Sequence, residues 1–160
     1  MGIDKRVKAF AQLGEYIKNL PEEKFKTLAE RARIDNSWFT EENLRMAVSG
    51  ILYFLEEKSL RHWLGRYPVI DRNPKAIGLV MAGNIPLVGF HDLLCVLING
   101  DIALIKTSSK DSILMKTLTD KLIDINPEFA SRIRYVEHLK NPDAVIATGS
   151  DNSSRYFEYY

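Results

Sequence analysis

The chain has 160 residues, 46% hydrophobic and 27% charged, a composition typical of a globular protein that can bury a core. Because 22 basic residues face 21 acidic ones, the net charge of +1 gives no reason to expect nucleic acid as a partner. A single cysteine excludes an internal disulfide, and no apolar run is long enough for membrane insertion, so we predict a soluble cytoplasmic protein.

The first part of the chain has the pattern of helices. Apolar residues between positions 7 and 17 recur every three or four residues, as on one face of a helix. Pro21 and Thr40 are each followed by two glutamates, which is typical of helix starts because acidic side chains suit the positive end of the helix dipole. We therefore predict an N-terminal helical segment over residues 1–66.

From residue 67 onward, short apolar runs alternate with longer amphipathic ones. The pattern predicts strands at 76–81, 102–105, 133–136 and 144–147, and helices at 87–99, 112–124 and 153–160. This alternation predicts an α/β fold in which residues 67–160 form part of an open parallel sheet with right-handed crossovers. Since such a sheet would be unfinished, we expect the chain to be the front portion of a longer protein.

Three small polar loops follow predicted strands, at residues 83–86, 106–110 and 148–152. In open α/β sheets, ligands bind beyond the carboxyl ends of the strands, so these loops together predict a crevice for a phosphorylated ligand. Neither standard glycine-rich phosphate-binding motif is present. Taken singly, each loop is also explained by ordinary turn chemistry, which favours the same residue types.

Three segments in a fixed order carry a resemblance to the aldehyde dehydrogenase superfamily. They are Gly83-Asn84-Ile85-Pro86-Leu87, the strand that ends at Lys106, and Asp143–Ser150 with its Thr-Gly-Ser ending. The superfamily has Asn-Phe-Pro, Lys-Pro-Ser-Glu and Phe-Thr-Gly-Ser segments in the same order. Within it, the sequences MAGNIPLVGFHD, IKTSSKD and ATGS most resemble the acyl-CoA reductase family, which includes LuxC, over roughly residues 70–160. The resemblance implies that residues 67–160 form an incomplete Rossmann-like, dinucleotide-binding domain of aldehyde dehydrogenase type.

The resemblance implies a catalytic role for Asn84, whose side-chain amide would stabilise a developing oxyanion. It also implies that the loop with Lys106 and Ser108 contacts the ribose of a nicotinamide cofactor. Ser109 stands where members that prefer NAD often carry a glutamate, so we expect NADPH (NADP) rather than NADH. The alternatives without a catalytic or binding role are that Asn84 only forms a turn and that Lys106 is a solvated surface charge.

The Thr-Gly-Ser ending supplies the last implied contacts. Gly149 and Ser150 correspond to the Gly-Ser pair that meets the cofactor pyrophosphate at a helix N-terminus. An ordinary helix cap is the alternative for this pair. No metal site is expected, because His62 and His138 lack partners at metal-ligand spacing.

The implied activity is reduction of a fatty acyl thioester to an aldehyde through a cysteine thioester. Cys95 invites that role, with His91 four residues earlier on the same helical face. We expect Cys95 instead to be a buried, inert core cysteine, because it lies in the apolar run LLCVLI. The nucleophile and the general-base glutamate are then expected beyond residue 160, which would leave this chain inactive on its own.

Two other functions are compatible with the sequence. The chain would be a non-catalytic nucleotide-binding or interaction module if the loops bind a dinucleotide without chemistry. It would be a structural adaptor if residues 1–66 form the working surface. For the enzyme, the expected partners are a fatty acyl thioester substrate and either a homo-oligomer or enzymes that supply acyl groups.

Overall fold

The computed structural model describes residues 1–68, 72–108 and 111–149. Four helices make up the N-terminal segment: α1 (Ile3–Lys18), α2 (Glu22–Asp35), α3 (Glu41–Leu55) and α4 (Glu57–Leu64). The two helix starts predicted from sequence are confirmed. Helix α2 begins directly after Pro21, and the Thr40 side chain caps α3 by accepting a hydrogen bond from the N–H of Asn43 at 3.2 Å.

A parallel sheet follows the helical segment. Its strands are β1 (Ala76–Val80), β2 (Ile102–Lys106), β3 (Ile133–Tyr135) and β4 (Ala144–Ala147). Helix α5 (Phe90–Ile98) connects β1 to β2, and helix α6 (Ser112–Ile125) with a 3-10 turn (Pro127–Ser131) connects β2 to β3. The strand order is β3-β2-β1-β4 with every pairing parallel, which confirms the predicted α/β fold. The helix predicted at 153–160 lies outside the described residues.

The start of α5 differs from the sequence prediction, which placed it at residue 87. Residues 86–89 form a turn, and Leu87 has a φ of 59°, in the left-handed region that a right-handed helix cannot use. The helix therefore begins three residues later, at Phe90. The predicted strands agree with the observed ones to within one residue at each end.

One continuous hydrophobic cluster joins the helical segment to the sheet. It includes Phe10 of α1 and Phe129 of the 3-10 turn, whose rings meet edge to face with centroids 5.7 Å apart. The buried Arg6 side chain of α1 donates through Nε to the carbonyl of Ile98, at the end of α5, at 2.7 Å. The boundary at residue 66 stays a prediction, but the two parts pack as neighbours in one core.

A polar cluster fixes the amino ends of β1 and β2. Asp101 is buried and accepts a two-pronged ion pair from Arg72, at 2.8 and 2.7 Å, together with the backbone N–H of Lys75 and the amide of Asn99. Burial alone would raise the pKa of Asp101, but these hydrogen bonds outweigh it and lower the pKa. The cluster therefore anchors the sheet at the edge away from the polar loops.

Across the described ranges, no helix combines the length and apolarity that crossing a membrane requires.

Candidate functional site

The order of the sheet reverses beside β1. The chain passes from β1 to β2 on one side and later returns to place β4 on the other side, with Val80 of β1 in register with Ala147 of β4. Doubly wound sheets bind ligands outside the carboxyl ends of the strands at such a reversal. The turn that contains Gly83 and Asn84 follows β1 there, and the Thr148–Gly149 turn follows β4.

The described site residues predicted from sequence all lie at this carboxyl edge. Asn84 is exposed, four residues beyond the end of β1. Lys106 is the last residue of β2, in register with Val80, and both Lys106 and Ser108 are partly buried. Gly149 is exposed, two residues beyond β4. The two remaining predicted contacts, Ser109 and Ser150, lie outside the described residues.

Two buried polar side chains hold the segment around Asn84. The amide Nδ2 of Asn36 donates to the carbonyl of Gly83 at 2.7 Å, and the Oδ2 of Asp111 accepts the N–H of Leu87 at 2.8 Å. Burial raises the pKa of Asp111 to about 7, although the hydrogen bond from Leu87 acts in the opposite direction. This carboxyl group is therefore partly protonated at neutral pH.

The turn after β4 is tied to the helix after β1. The hydroxyl of Thr148 donates to Oδ2 of Asp92, in the first turn of α5, at 2.6 Å. The backbone N–H of Thr148 also donates to the carbonyl of Val80 at 3.0 Å. Gly149 is thus held next to the end of β1, and its missing side chain leaves room for close approach of a ligand.

Cys95 is half-buried, so the expectation of full burial is wrong. The buried residues of α5, such as Leu94 and Val96, lie on other faces, while Cys95 shares its face with the exposed His91. The Sγ of Cys95 lies 3.8 Å from Nδ1 of His91. Even so, burial and then the charge of Asp92 raise the pKa of the Cys95 thiol, which leaves it protonated at neutral pH.

Three residues that support the site were not found from the sequence: Asn36, Asp92 and Asp111. Asp111 directly precedes a helix, which by local rules predicts a helix cap, and Asp92 lies in a first helical turn, which predicts only a favourable dipole interaction. Asn36 carried no signal, because its partner Gly83 lies 47 residues away. No group of three or more His, Cys, Asp or Glu side chains suited to a metal occurs within ranges 1–68, 72–108 and 111–149.

Comparison with known proteins identifies the family of the chain. The sequence model of the family described as acyl-CoA reductase (LuxC) matches residues 5–158. The chain belongs to this family. A curated relative, the long-chain acyl-protein thioester reductase of Aliivibrio fischeri, is 25% identical over 153 residues. That match covers 82% of the chain but 31% of the relative, so the chain spans about a third of the relative's length.

Proposed function

We propose that the chain is the N-terminal part of an NADPH-dependent reductase that converts a fatty acyl thioester to an aldehyde. One observation carries the proposal: the Asn84 segment and the Thr148–Gly149 turn follow neighbouring strands at the point where the sheet order reverses. The LuxC family match supports the class of reaction. In this proposal the acyl group comes from CoA or a carrier protein, and the reaction takes place in the cytoplasm. The protein partners are further copies of the reductase in a homo-oligomer, or enzymes that supply acyl groups.

Asn84 supplies an oxyanion donor in this proposal. A thiolate adds to the acyl carbonyl, the carbonyl oxygen becomes negatively charged, and the carrier thiol leaves as the carbonyl re-forms. A bound NADPH would supply the hydride that converts the new thioester to the aldehyde with release of the thiolate, at a balance of one NADPH and one proton for each aldehyde. A fixed amide donor aimed at that oxygen lowers the barrier by about 3–4 kcal/mol.

The residues of the carboxyl edge fit a phosphorylated dinucleotide. Lys106 brings a cation to the end of β2, Ser108 a hydroxyl, and Gly149 a backbone without a side chain. The cofactor supplies the hydride when bound. In the sequence, position 109 between Lys106 and Lys110 is a serine and not a glutamate, so it carries no charge that would repel a 2′-phosphate, and this supports NADPH over NADH.

The thiol nucleophile is proposed to come from outside residues 1–160. Cys95 is half-buried on α5 and its pKa is raised, which is the opposite of the lowered pKa that activates a nucleophilic cysteine. The chain by itself is therefore expected to be inactive.

Oxidation of NADPH by the complete protein tests the proposal. With a long-chain acyl-CoA or acyl-carrier protein, we expect aldehyde formation, and Asn84→Ala should lower kcat by about 100-fold or more. Asn19→Ala is the control, because it deletes an exposed amide whose hydrogen bonds, among the described residues, go to Glu15 of its own helix. Lys106→Gln should raise the KM for NADPH, whereas Lys75→Gln, at the amino end of β1, should not.

The outcomes also separate the competing functions. Binding of NADPH without aldehyde formation would favour a non-catalytic nucleotide-binding module. No binding of either nicotinamide cofactor would favour the structural adaptor. A lower Kd for NADH than for NADPH would contradict the cofactor assignment alone.

A further inference from the structure

We propose that Asn36 and Asp111 are positioning residues, which hold the two ends of the segment 83–87 and thereby fix the direction of Asn84. The inference rests on the proposed function, since it assigns the two side chains to the donor that stabilises the oxyanion. Neither residue belongs to the strands or turns of the site itself. Asn36 comes from the helical segment, and Asp111 from the start of α6.

Asn36 holds the segment on the side that precedes Asn84. It is 8% exposed although both of its chain neighbours are exposed. Its Nδ2 donates to the Gly83 carbonyl at 2.7 Å, while its Oδ1 accepts the backbone N–H of Trp38 at 3.1 Å. Because both ends of the amide are bonded, the side chain has one favourable orientation, and that orientation fixes the carbonyl directly before Asn84.

Asp111 holds the segment on the side that follows Asn84. It occupies the N-cap position of α6, where an aspartate normally accepts a hydrogen bond from its own helix. Here the carboxylate makes no such bond and instead accepts the N–H of Leu87 at 2.8 Å. Asp111 is 6% exposed and makes no capping bond within its own helix, so its carboxylate is bonded to the segment 83–87 instead.

The backbone is strained at the second contact, Leu87. Leu87 has a φ of 59°, which costs a side chain with a Cβ atom about 1–2 kcal/mol, and it persists only where surrounding contacts enforce it. The buried Leu87 side chain and the bond to Asp111 provide those contacts. Strain of this kind is retained at sites where a backbone direction matters, and Asn84 lies three residues before it.

Asn84 itself depends on this backbone. Within the described part of the chain its side chain is exposed and no hydrogen bond to it is found, so its amide hydrogens remain available to a substrate oxygen. The direction of the amide then follows from the backbone of residues 83–87. A displacement of about 1 Å costs roughly 100-fold in rate where a catalytic group must meet a reacting atom.

A double-mutant cycle in the complete reductase tests the inference. Asn36→Asp keeps the acceptor for Trp38 but puts an oxygen against the Gly83 carbonyl, and it should lower kcat about 10- to 100-fold with little change in the KM for the thioester. In an Asn84→Ala background the same change should have almost no further effect. Asp111→Ala should behave alike, whereas Asp111→Asn should retain most activity because its carbonyl still accepts the Leu87 N–H. Asn19→Ala is the matched control.

Amide hydrogen exchange on the 160-residue chain gives a readout independent of activity. Asn36→Asp and Asp111→Ala should each speed exchange at Leu87 by about tenfold or more, while Asn19→Ala should not. Equal losses of kcat in the presence and absence of Asn84, or unchanged exchange at Leu87, would overturn the inference. Faster exchange in a protein that reduces no acyl thioester would instead locate the failure in the proposed function.

Discussion

The hydroxyl of Thr148 donates a hydrogen bond to Oδ2 of Asp92 at 2.6 Å, which joins the turn after β4 to the first turn of α5. The two residues belong to different connections, 56 positions apart in the chain. Helix α5 directly follows the segment that contains Asn84. The bond therefore links the part of the proposed site that would bind the oxyanion, at Asn84, to the part that would bind the pyrophosphate, at Gly149.

Thr148→Val removes the hydroxyl with little change of shape. We expect the free energy of unfolding to fall by about 1.5–3 kcal/mol, because the bond goes to a carboxylate, and the Kd for NADPH to rise several-fold as Gly149 moves. Thr148→Ser should restore both. Thr27→Val serves as control in urea denaturation, since the Thr27 hydroxyl donates to the Glu23 carbonyl on an exposed helix face. Equal destabilisation by the two valines would contradict the prediction.

The raised pKa of Asp111 should make the free energy of unfolding decrease as the pH rises. Its pKa of about 7 in the folded state exceeds the ordinary value of 3.8, so the folded chain binds a proton that the unfolded chain has released over that interval. The contribution of Asp111 is therefore complete below pH 3.8 and is lost as the pH rises through 7. The pKa of Tyr135 is raised mainly by burial, and the charge of Asp111 raises it further.

Asp111→Asn isolates this effect, because asparagine cannot ionise. The unfolding free energy of the wild type relative to the variant should fall between pH 4 and pH 8, by up to about 4 kcal/mol at 1.4 kcal/mol per pKa unit. Urea titrations across this range measure it. Asp143→Asn is the control, since that exposed carboxylate accepts the N–H of Ala76 at the opposite end of β1. A difference that does not change with pH would exclude a raised pKa.

The strands and most helices could be predicted from sequence because their signals are local. A short apolar run such as Ala76–Val80, which begins directly after the charged Lys75, predicts a buried strand, and the centre of the observed strand is buried. The carboxyl-edge placement of Asn84, Lys106 and Gly149 followed from the same rhythm of strands and loops.

The contacts that support Asn84 could not be predicted, because they are long-range. Asn36 and Gly83 are 47 positions apart, and Asp111 and Leu87 are 24 apart. Local capping rules predict that the Asp111 carboxylate accepts a hydrogen bond from α6. In the folded chain it accepts the N–H of the strained Leu87 instead. The partial exposure of Cys95 could not be predicted for a related reason: an apolar run has a uniform composition, whereas a helix within it still has an exposed face.

Two glycines should respond to alanine with opposite signs. Gly100, between α5 and β2, has a φ of +91°, and a Cβ there would lie 3.0 Å from Nη1 of Arg6. Gly100→Ala should lower the unfolding free energy by about 1–2 kcal/mol or more. Gly50 lies inside α3, where a Cβ would meet nothing within 4 Å, so Gly50→Ala should raise it by about 0.5–1 kcal/mol. Thermal unfolding distinguishes the two, and a shift of the same sign in both variants would contradict the assignment.

The Cys95 thiol should be a poor nucleophile although it is half-buried and close to His91. Burial and the nearby Asp92 carboxylate both disfavour the thiolate, so its pKa lies above the ordinary value of 9.0. Alkylation by iodoacetamide at pH 7 should therefore be slower than for glutathione, and its rate should keep rising beyond pH 9.

Substitution of His91 tests whether the imidazole activates this thiol. Their 3.8 Å contact would produce a reactive pair only if a proton moved from Sγ to the ring, which would lower the pKa of Cys95. Because the pKa is raised instead, His91→Ala should leave the alkylation rate at pH 7 within about twofold. Cys95 is the only cysteine in the 160 residues, so mass spectrometry follows the reaction without interference. Rapid alkylation at pH 7 that is abolished by His91→Ala would make Cys95 a candidate for the acyl-accepting nucleophile.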